Sequence, residues 1–293
     1  MTWWKGLRGK IKFKEPLNKH TTFKIGGPAG FFVEPYDAAD LKLLIASAKR
    51  YKIRILTLGL GSNILISDKG IRGIVLRLSS PFFKKVFIRA NYLEAGSAVT
   101  LNRIVQAACQ RGFSGVEFLA GIPGTLGGAL VMNAGAWGRN IGELVEEVTV
   151  MDRNGNIKLL RKKDIKFKYR SSSLAAYIIL SARIKLAKGN KEKISSGIKK
   201  YLECRRDTQD VSFPGAGCAF KNPPGQSAGR LIDLCGLKGK KVGGAGISMR
   251  HANFILNCNR ASARDVIKLM GLIRKTVKHK FNINLEPEIK IWK

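Results

Sequence analysis

Residues 120–138 read AGIPGTLGGALVMNAGAWG, a stretch with six glycines, four alanines and no titratable side chain. A catalytic segment ordinarily carries an acid, a base or a nucleophile. Gly121, Gly124, Gly127 and Gly128, with Thr125 and Ala134 beside them, offer backbone that something flat and bulky can approach closely. A second glycine turn lies upstream. Gly59, Gly61, Ser62 and Asn63 of LGLGSN (58–63) follow a strand-like RILTL segment. Backbone N–H groups exposed by such a turn make a concave anion site. The turn is neither G-x-G-x-x-G nor G-x-x-x-x-G-K-[ST], so Rossmann and P-loop readings both fail. Alone it fits a structural tight turn equally well. Two such loops in one chain point to one extended cofactor with a diphosphate and a ring.

The rest of the chain sets the frame for those loops. Its 293 residues, 45% hydrophobic and 25% charged, suit two or three globular domains with real cores. The longest apolar runs, such as AAYIIL, are far too short to span a bilayer, so no membrane insertion is expected. The basic amino-terminal stretch MTWWKGLRGKIKFKEPLNK lacks the apolar core of a secretory signal. Five scattered cysteines form no C-x-x-C pair. That argues against a disulfide framework and a metal site, and for a reducing cytoplasm. The formal net charge of +33 is the one extreme value. It fits either a nucleic-acid partner or a solvated basic surface. The charge recurs in FFKK, RKKDIKFKYR and KGNKEK, interleaved with apolar positions, which reads as exposed faces, and no specific nucleic acid is expected.

The pattern along the chain is α+β. DAADLKLLIASAKRYK (37–52) has helical spacing, with Asp37 or Asp40 as its N-cap. Residues 86–96 read as a strand, and TLNRIVQAACQRG (100–112) as an amphipathic helix capped near Thr100. VEEVTVMDRNGNIKLL (145–160) reads as a hairpin turning at Asn154-Gly155. Past residue 196 come a helix, a Gly/Pro-rich loop to 225, two more helices and a terminal strand in LEPEIKIW (285–292). The expected division is 1–80, 81–196 and 197–293, in a single-chain monomer.

Nine blocks then carry a resemblance: HTTFKIGGPAGFFVEP (20–35), LGLGSNILISDKGIRGIVLRL (58–78), GVEFLAGIPGTLGGALVMNAGAWG (115–138), FKYRSSSL (167–174), RRDTQD (205–210), GAGCAFKNPPG (215–225), AGRLIDLCGLKGKKVGGA (228–245), RHANFILN (250–257) and LEPEIKIW (285–292). In this order they resemble the UDP-N-acetylenolpyruvoylglucosamine reductases, bacterial flavoenzymes of peptidoglycan precursor synthesis, over nearly the whole chain. The subtype is the one without an inserted tyrosine loop. The resemblance implies two α+β subdomains of the vanillyl-alcohol-oxidase type that hold FAD non-covalently (1–80 and 81–196), and a C-terminal α+β substrate domain that closes over a UDP-sugar. GLGSN would bind the FAD diphosphate, and GIPGTLGG would pass toward the isoalloxazine ring. NADPH would be the reductant, and an enolpyruvyl ether would become a lactyl ether.

Three residues match the family's catalytic positions. Arg170 would pair with the substrate carboxylate and stabilise the developing enolate, which suits a guanidinium fork. Glu288, the second acid of LEPE, would donate a proton or hydrogen bond. Spacing alone does not choose it over Glu286, because alternation along a strand puts both on one face. Cys218 stands where the family usually has a serine that protonates the carbanion. As a class, thiols ionise far below alcohols, so a cysteine is a competent acid there and adds an oxidation liability. Lys221, Asn222 and Tyr169, with Arg205 less so, would contact the uridine diphosphate or sugar. Asp210 replaces a usual proline and Gly246 a usual glutamine. Two rivals remain at this stage. One is another FAD oxidoreductase of the same fold, against which CAFKNP and LEPE argue; the other is a basic nucleic-acid-binding protein, which would be colourless.

Overall fold

A computed structural model describes residues 3–293; Met1 and Thr2, the start of the basic amino-terminal stretch, lie outside the described residues. The chain forms two compact units, each assembled from separate segments. Residues 31–59 and 73–204 make up most of the first, and residues 13–30, 60–72 and 205–293 the second. Residues 1–80 therefore contribute to both. The expected boundary at 196 falls inside a continuous helix, Lys191–Thr208.

In the first unit, helix α1 (Ala38–Arg50) starts where the Asp37 carboxylate accepts from the Asp40 N–H, and buries Leu41, Leu44 and Ile45 on one stripe. Strand Ile55–Thr57 pairs in parallel with Ile74–Leu76. A five-stranded antiparallel sheet follows, in the order 157–161, 145–151, 178–185, 92–96, 86–89. Helix α2 (Leu101–Gln110), capped by Thr100, and the short α3 (Leu126–Met132), capped by Thr125, share its core with Leu93, Phe118, Val148 and Ile184. Helix α4 (Lys191–Thr208) is mostly exposed.

Two local expectations change. Residues 86–96 form a hairpin rather than one strand, turning at Ala90–Asn91 with Ala90 at φ 48°. No glycine marks that turn, which is why its sequence signal is weak. The turn after Met151 spans residues 152–156, not a two-residue Asn-Gly loop. The Asp152 carboxylate accepts from the Asn156 and Asn154 N–H groups there and pairs with the Lys158 ammonium; the Asn156 bond foremost, then Lys158, holds its pKa well below the usual range.

The second unit has an antiparallel sheet in the order 215–218, 254–257, 245–247, 241–242. Helices α5 (Ala228–Leu234) and α6 (Ala263–Phe281) pack with it around Phe220, Ile255, Leu269 and Ile273. Ser262 and Asp265 close a capping box on α6, and the Asp68 carboxylate accepts from the Ala263 and Arg264 amides. Burial of each large apolar side chain here contributes about 1.5–3 kcal/mol. The terminal strand covers only Lys290–Trp292, parallel to Ile64–Ile66. Both acids of LEPE precede it and flank Pro287, which forms an isolated antiparallel bridge with Phe220. No helix among the described residues is long and apolar enough to cross a membrane.

Candidate functional site

The 59–63 turn leaves several of its amides outside the backbone hydrogen-bond network. Among the described residues, no protein oxygen accepts from the backbone N–H of Gly59, Leu60, Gly61 or Asn63. Amides clustered in one turn without protein acceptors suit a diphosphate, so the residues present fit an FAD phosphate cradle. Gly61 itself is fixed by its own unit. It lies at φ 69°, and a Cβ there would sit 2.2 Å from the His20 carbonyl oxygen. Its carbonyl accepts from the Thr22 N–H at 3.2 Å. The Asn63 side chain turns to the protein instead: Nδ2 donates to the Glu288 carbonyl at 3.1 Å. The Asn63 carbonyl accepts from the Lys290 N–H. That assigns Asn63 a second task beyond the cofactor role expected from sequence.

The 120–138 stretch differs. The Gly121 N–H donates to Asn102 Oδ1, Leu126 to the Val99 carbonyl, Gly127 to the Ser97 carbonyl and Gly128 to Thr125 Oγ1. Ala134 donates to Ala129 and accepts from Ile141. Most of its amides are thus committed within the unit. What it leaves toward a ligand is surface: Gly128 is exposed, and a Cβ at Gly124 would meet nothing nearer than Leu101 at 3.8 Å. Within the first unit Gly59 lies against Thr125, whose Oγ1 would stand 2.8 Å from a Cβ on that glycine.

Arg170 occupies the turn of a short hairpin in the first unit, between Phe167–Lys168 and Ser171–Ser172. Its φ is 54° and its guanidinium lies 5.0 Å from the centre of the Tyr169 ring. A left-handed backbone at a bulky residue costs roughly 1–2 kcal/mol and persists only where the surroundings over-determine it. Tyr169 is exposed.

The second unit gathers the other candidates. Cys218 ends strand Gly215–Cys218 opposite Phe254, after a register shift in which Gly217 takes φ 72°. Such a bulge re-aims the side chain that follows it. Next to it, the Ala219 N–H donates to the Asn253 carbonyl at 2.7 Å. The Asn253 side chain then grips Phe220 from both sides, accepting from its N–H at 3.0 Å and donating to its carbonyl at 2.7 Å. Asn253 is only 2% exposed. On the other edge the Glu288 N–H donates to the Ala219 carbonyl, and the Lys221 N–H to the Glu286 carbonyl. Cys218, Lys221, Glu288 and Asn63 are thereby joined by one backbone network.

That network separates the two acids. Glu286 is exposed and forms an ion pair with the Lys221 ammonium, while Glu288 is half-buried. Asn222 uses Oδ1 to accept from the Ala228 N–H at the start of α5, leaving its NH₂ for other partners. Asp210 accepts from the Ser248 hydroxyl at 2.7 Å and from the Ser212 N–H. Ser248 in turn accepts from the Arg250 and His251 N–H groups. Hydrogen bonds, chiefly from Ser212, lower the Asp210 pKa. Burial pushes the His251 imidazole pKa down, and its Nδ1 accepts from Asn253. Gly246 sits where a Cβ would be 3.0 Å from Cys258 Sγ, so a glutamine would displace that thiol.

Asn133 and Asn253 carry no sequence signal of the kind that marked the glycine turns. Each acts through hydrogen bonds to residues more than thirty positions away.

Known proteins resemble this chain over nearly its whole length. Residues 29–161 match the model of the FAD binding domain, and 209–292 that of the C-terminal domain of UDP-N-acetylenolpyruvoylglucosamine reductase. The UDP-N-acetylenolpyruvoylglucosamine reductase of Caldanaerobacter subterraneus subsp. tengcongensis is 44% identical over 97% of this chain and 94% of its own length. The crystal structure of the enzyme of that name from Thermus caldophilus superposes with a TM-score of 0.84 at 35% identity, covering 98% of this chain and 100% of that one. A variant of Phl p 4, a glucose oxidase, shares the fold alone, with a TM-score of 0.50 at 16% identity over 62% of this chain and 42% of that one. The chain belongs to the UDP-N-acetylenolpyruvoylglucosamine reductase family.

Proposed function

We propose that the chain reduces UDP-N-acetylenolpyruvoylglucosamine to UDP-N-acetylmuramate, with NADPH as reductant. The observation that carries this is the 44% identity over 97% of the chain to a reductase of that name. It is an FAD-dependent oxidoreductase of peptidoglycan precursor synthesis. When bound, FAD supplies the hydride-transfer chemistry that no side chain can provide. The amides of the 59–63 turn would hold its diphosphate, with Gly59, Gly61, Ser62 and Asn63 shaping that turn. Gly121, Gly124, Thr125, Gly127, Gly128 and Ala134 would line the approach to the ring.

The side chains do the rest. Reduction of the enolpyruvyl group places negative charge beside its carboxylate. The Arg170 fork pairs with that carboxylate and stabilises the charge. Cys218 holds a proton on Sγ and gives it to the substrate carbon; the thiolate left behind is reprotonated from water. Glu288 supports the same region with a proton or hydrogen bond. Lys221, positioned by Glu286, neutralises the diphosphate of the UDP-sugar, and Asn222 and Tyr169 contact its uridine or sugar. Functionally, residues 1–80 and 81–196 are the FAD-binding subdomains and 197–293 the substrate domain, with α4 spanning the last boundary. The protein works in the cytoplasm as a monomer.

The test is direct. Purified protein should be yellow, release FAD on denaturation, and consume NADPH only with UDP-N-acetylenolpyruvoylglucosamine present, giving UDP-N-acetylmuramate by mass. Colourless protein, or NADPH oxidation indifferent to that sugar, would overturn the reading.

A further inference from the structure

The Tyr169–Arg170 turn is held from one place. Asn133, the residue that ends α3, is 6% exposed and takes the left-handed conformation that asparagine tolerates, at φ 45°. Its Nδ2 donates to the Lys168 carbonyl at 3.1 Å, and its Oδ1 accepts from the Gly142 N–H at 3.0 Å. A carboxamide carries its donor and its acceptor on separate atoms, so this one side chain serves both partners at once. The other arm of the hairpin is tied to the same helix end: Ser172 Oγ lies 2.8 Å from the Leu130 carbonyl and 3.1 Å from that of Val131. Both strands flanking Arg170 therefore hang on the last turn of α3, and Arg170 keeps its unfavourable backbone between them.

We propose that Asn133 is a positioning residue for Arg170: it fixes the Lys168 carbonyl and so presents the guanidinium at the place the substrate carboxylate requires. The inference rests on the catalytic reading of Arg170 given above. Asparagine 133 touches neither reactant; it acts through the hairpin. A group displaced by about 1 Å loses much of its effect on a transition state.

Three variants test this in the intact flavoprotein. Asn133→Gly deletes both bonds while suiting the left-handed backbone. Asn133→Asp keeps the size and the bond to Gly142 but turns the donor facing Lys168 into an acceptor. Arg170→Lys is the reference. We expect both Asn133 variants to lower kcat for UDP-N-acetylenolpyruvoylglucosamine by on the order of 10- to 100-fold. Flavin content and the rate of flavin reduction by NADPH should not change. Amide hydrogen exchange across residues 166–173 should quicken with and without FAD. Because Asn133 works only through Arg170, the Asn133→Gly/Arg170→Lys double variant should be no slower than Arg170→Lys. Native turnover in Asn133→Gly, or losses that multiply in the double variant, would overturn the proposal while leaving Arg170 in place. Native turnover in Arg170→Lys would instead remove the reading beneath it. If Asn133→Gly does not fold, Ser172→Ala cuts the other tie to α3 and is judged by the same outcomes.

Discussion

The two glycine-rich stretches look alike in sequence and do opposite things with their backbone. In the 59–63 turn, no protein oxygen among the described residues accepts from the Gly59, Leu60, Gly61 or Asn63 amides, and the turn is bonded through Asn63 to Glu288 and onward to Ala219, beside Cys218. In 120–138 most amides are committed to neighbouring carbonyls or side chains, and the stretch ends in Asn133, which holds the Arg170 hairpin. One stretch presents N–H groups and is tied to the segment that holds Cys218. The other presents surface and carries the Arg170 hairpin. Glycine count identifies neither task; the fate of the amides does.

That contrast predicts its largest effect at Gly135. A Cβ there would lie 2.2 Å from the Arg139 carbonyl oxygen and 2.9 Å from Asn140 Cα, both backbone atoms of the paired strand. Gly135→Val should cost more than about 4 kcal/mol, and the protein should be insoluble or melt far earlier, with or without FAD. Well-folded Gly135→Val protein would break the packing account of this stretch. Gly61→Val should also destabilise, since its Cβ would meet His20 at 2.2 Å. Loss of flavin in that variant alone therefore does not prove the cradle.

Next in size is Cys218. Removing a positioned proton donor costs on the order of 10²–10⁴-fold. Cys218→Ala should bind FAD and accept electrons from NADPH, yet form UDP-N-acetylmuramate slowly by that factor, while Cys218→Ser retains most activity. Since thiols ionise far below alcohols, the native enzyme should lose product formation at alkaline pH before the serine variant does. Native turnover in Cys218→Ala would leave the thiol as packing and detach the 59–63 network from the chemistry.

Arg170→Lys should follow, at about 100-fold in kcat/KM, or roughly 3 kcal/mol, because an ammonium cannot reproduce the bidentate pairing. Thermal stability should hold. A variant that melts early while turning over normally would make the hairpin a structural feature and nothing more.

How much of this could be read from residues alone depends on the range of the interaction. Helix caps at Asp37 and Thr100 act within three residues, and their residue types mark them locally. The nine blocks located the candidate groups. The hairpin at Ala90–Asn91 was hidden because an alanine, not a glycine, takes the left-handed turn position. Glu286 and Glu288 were inseparable under strand alternation; their surroundings separate them, Glu286 exposed and paired with Lys221, Glu288 half-buried. Asn133 and Asn253 clamp carbonyls 35 and 33 positions away, and nothing local to either residue announces such a bond. The departure at Asp210 likewise acquires a reason only through Ser248, 38 positions on.

The smallest predicted effect separates packing from ligand contact most cleanly. Gly128 is helical and exposed, and a Cβ there would stand 3.6 Å from Thr125 Oγ1, an ordinary contact. Nothing in its own unit requires glycine. Gly128→Ala should therefore raise the melting stability of the apoprotein, by about 0.5–1 kcal/mol, as alanine does in helices. If that exposed face is where the flavin lies, the same methyl group must weaken FAD binding. The two quantities should then move in opposite directions, measured by calorimetry of apoprotein and by FAD titration. A variant that is more stable and binds FAD as tightly as before would confine the cofactor to the 59–63 turn and leave 120–138 as scaffold for Arg170 alone. A variant that is less stable without FAD would mean that glycine at 128 answers to packing after all, as it does at Gly135.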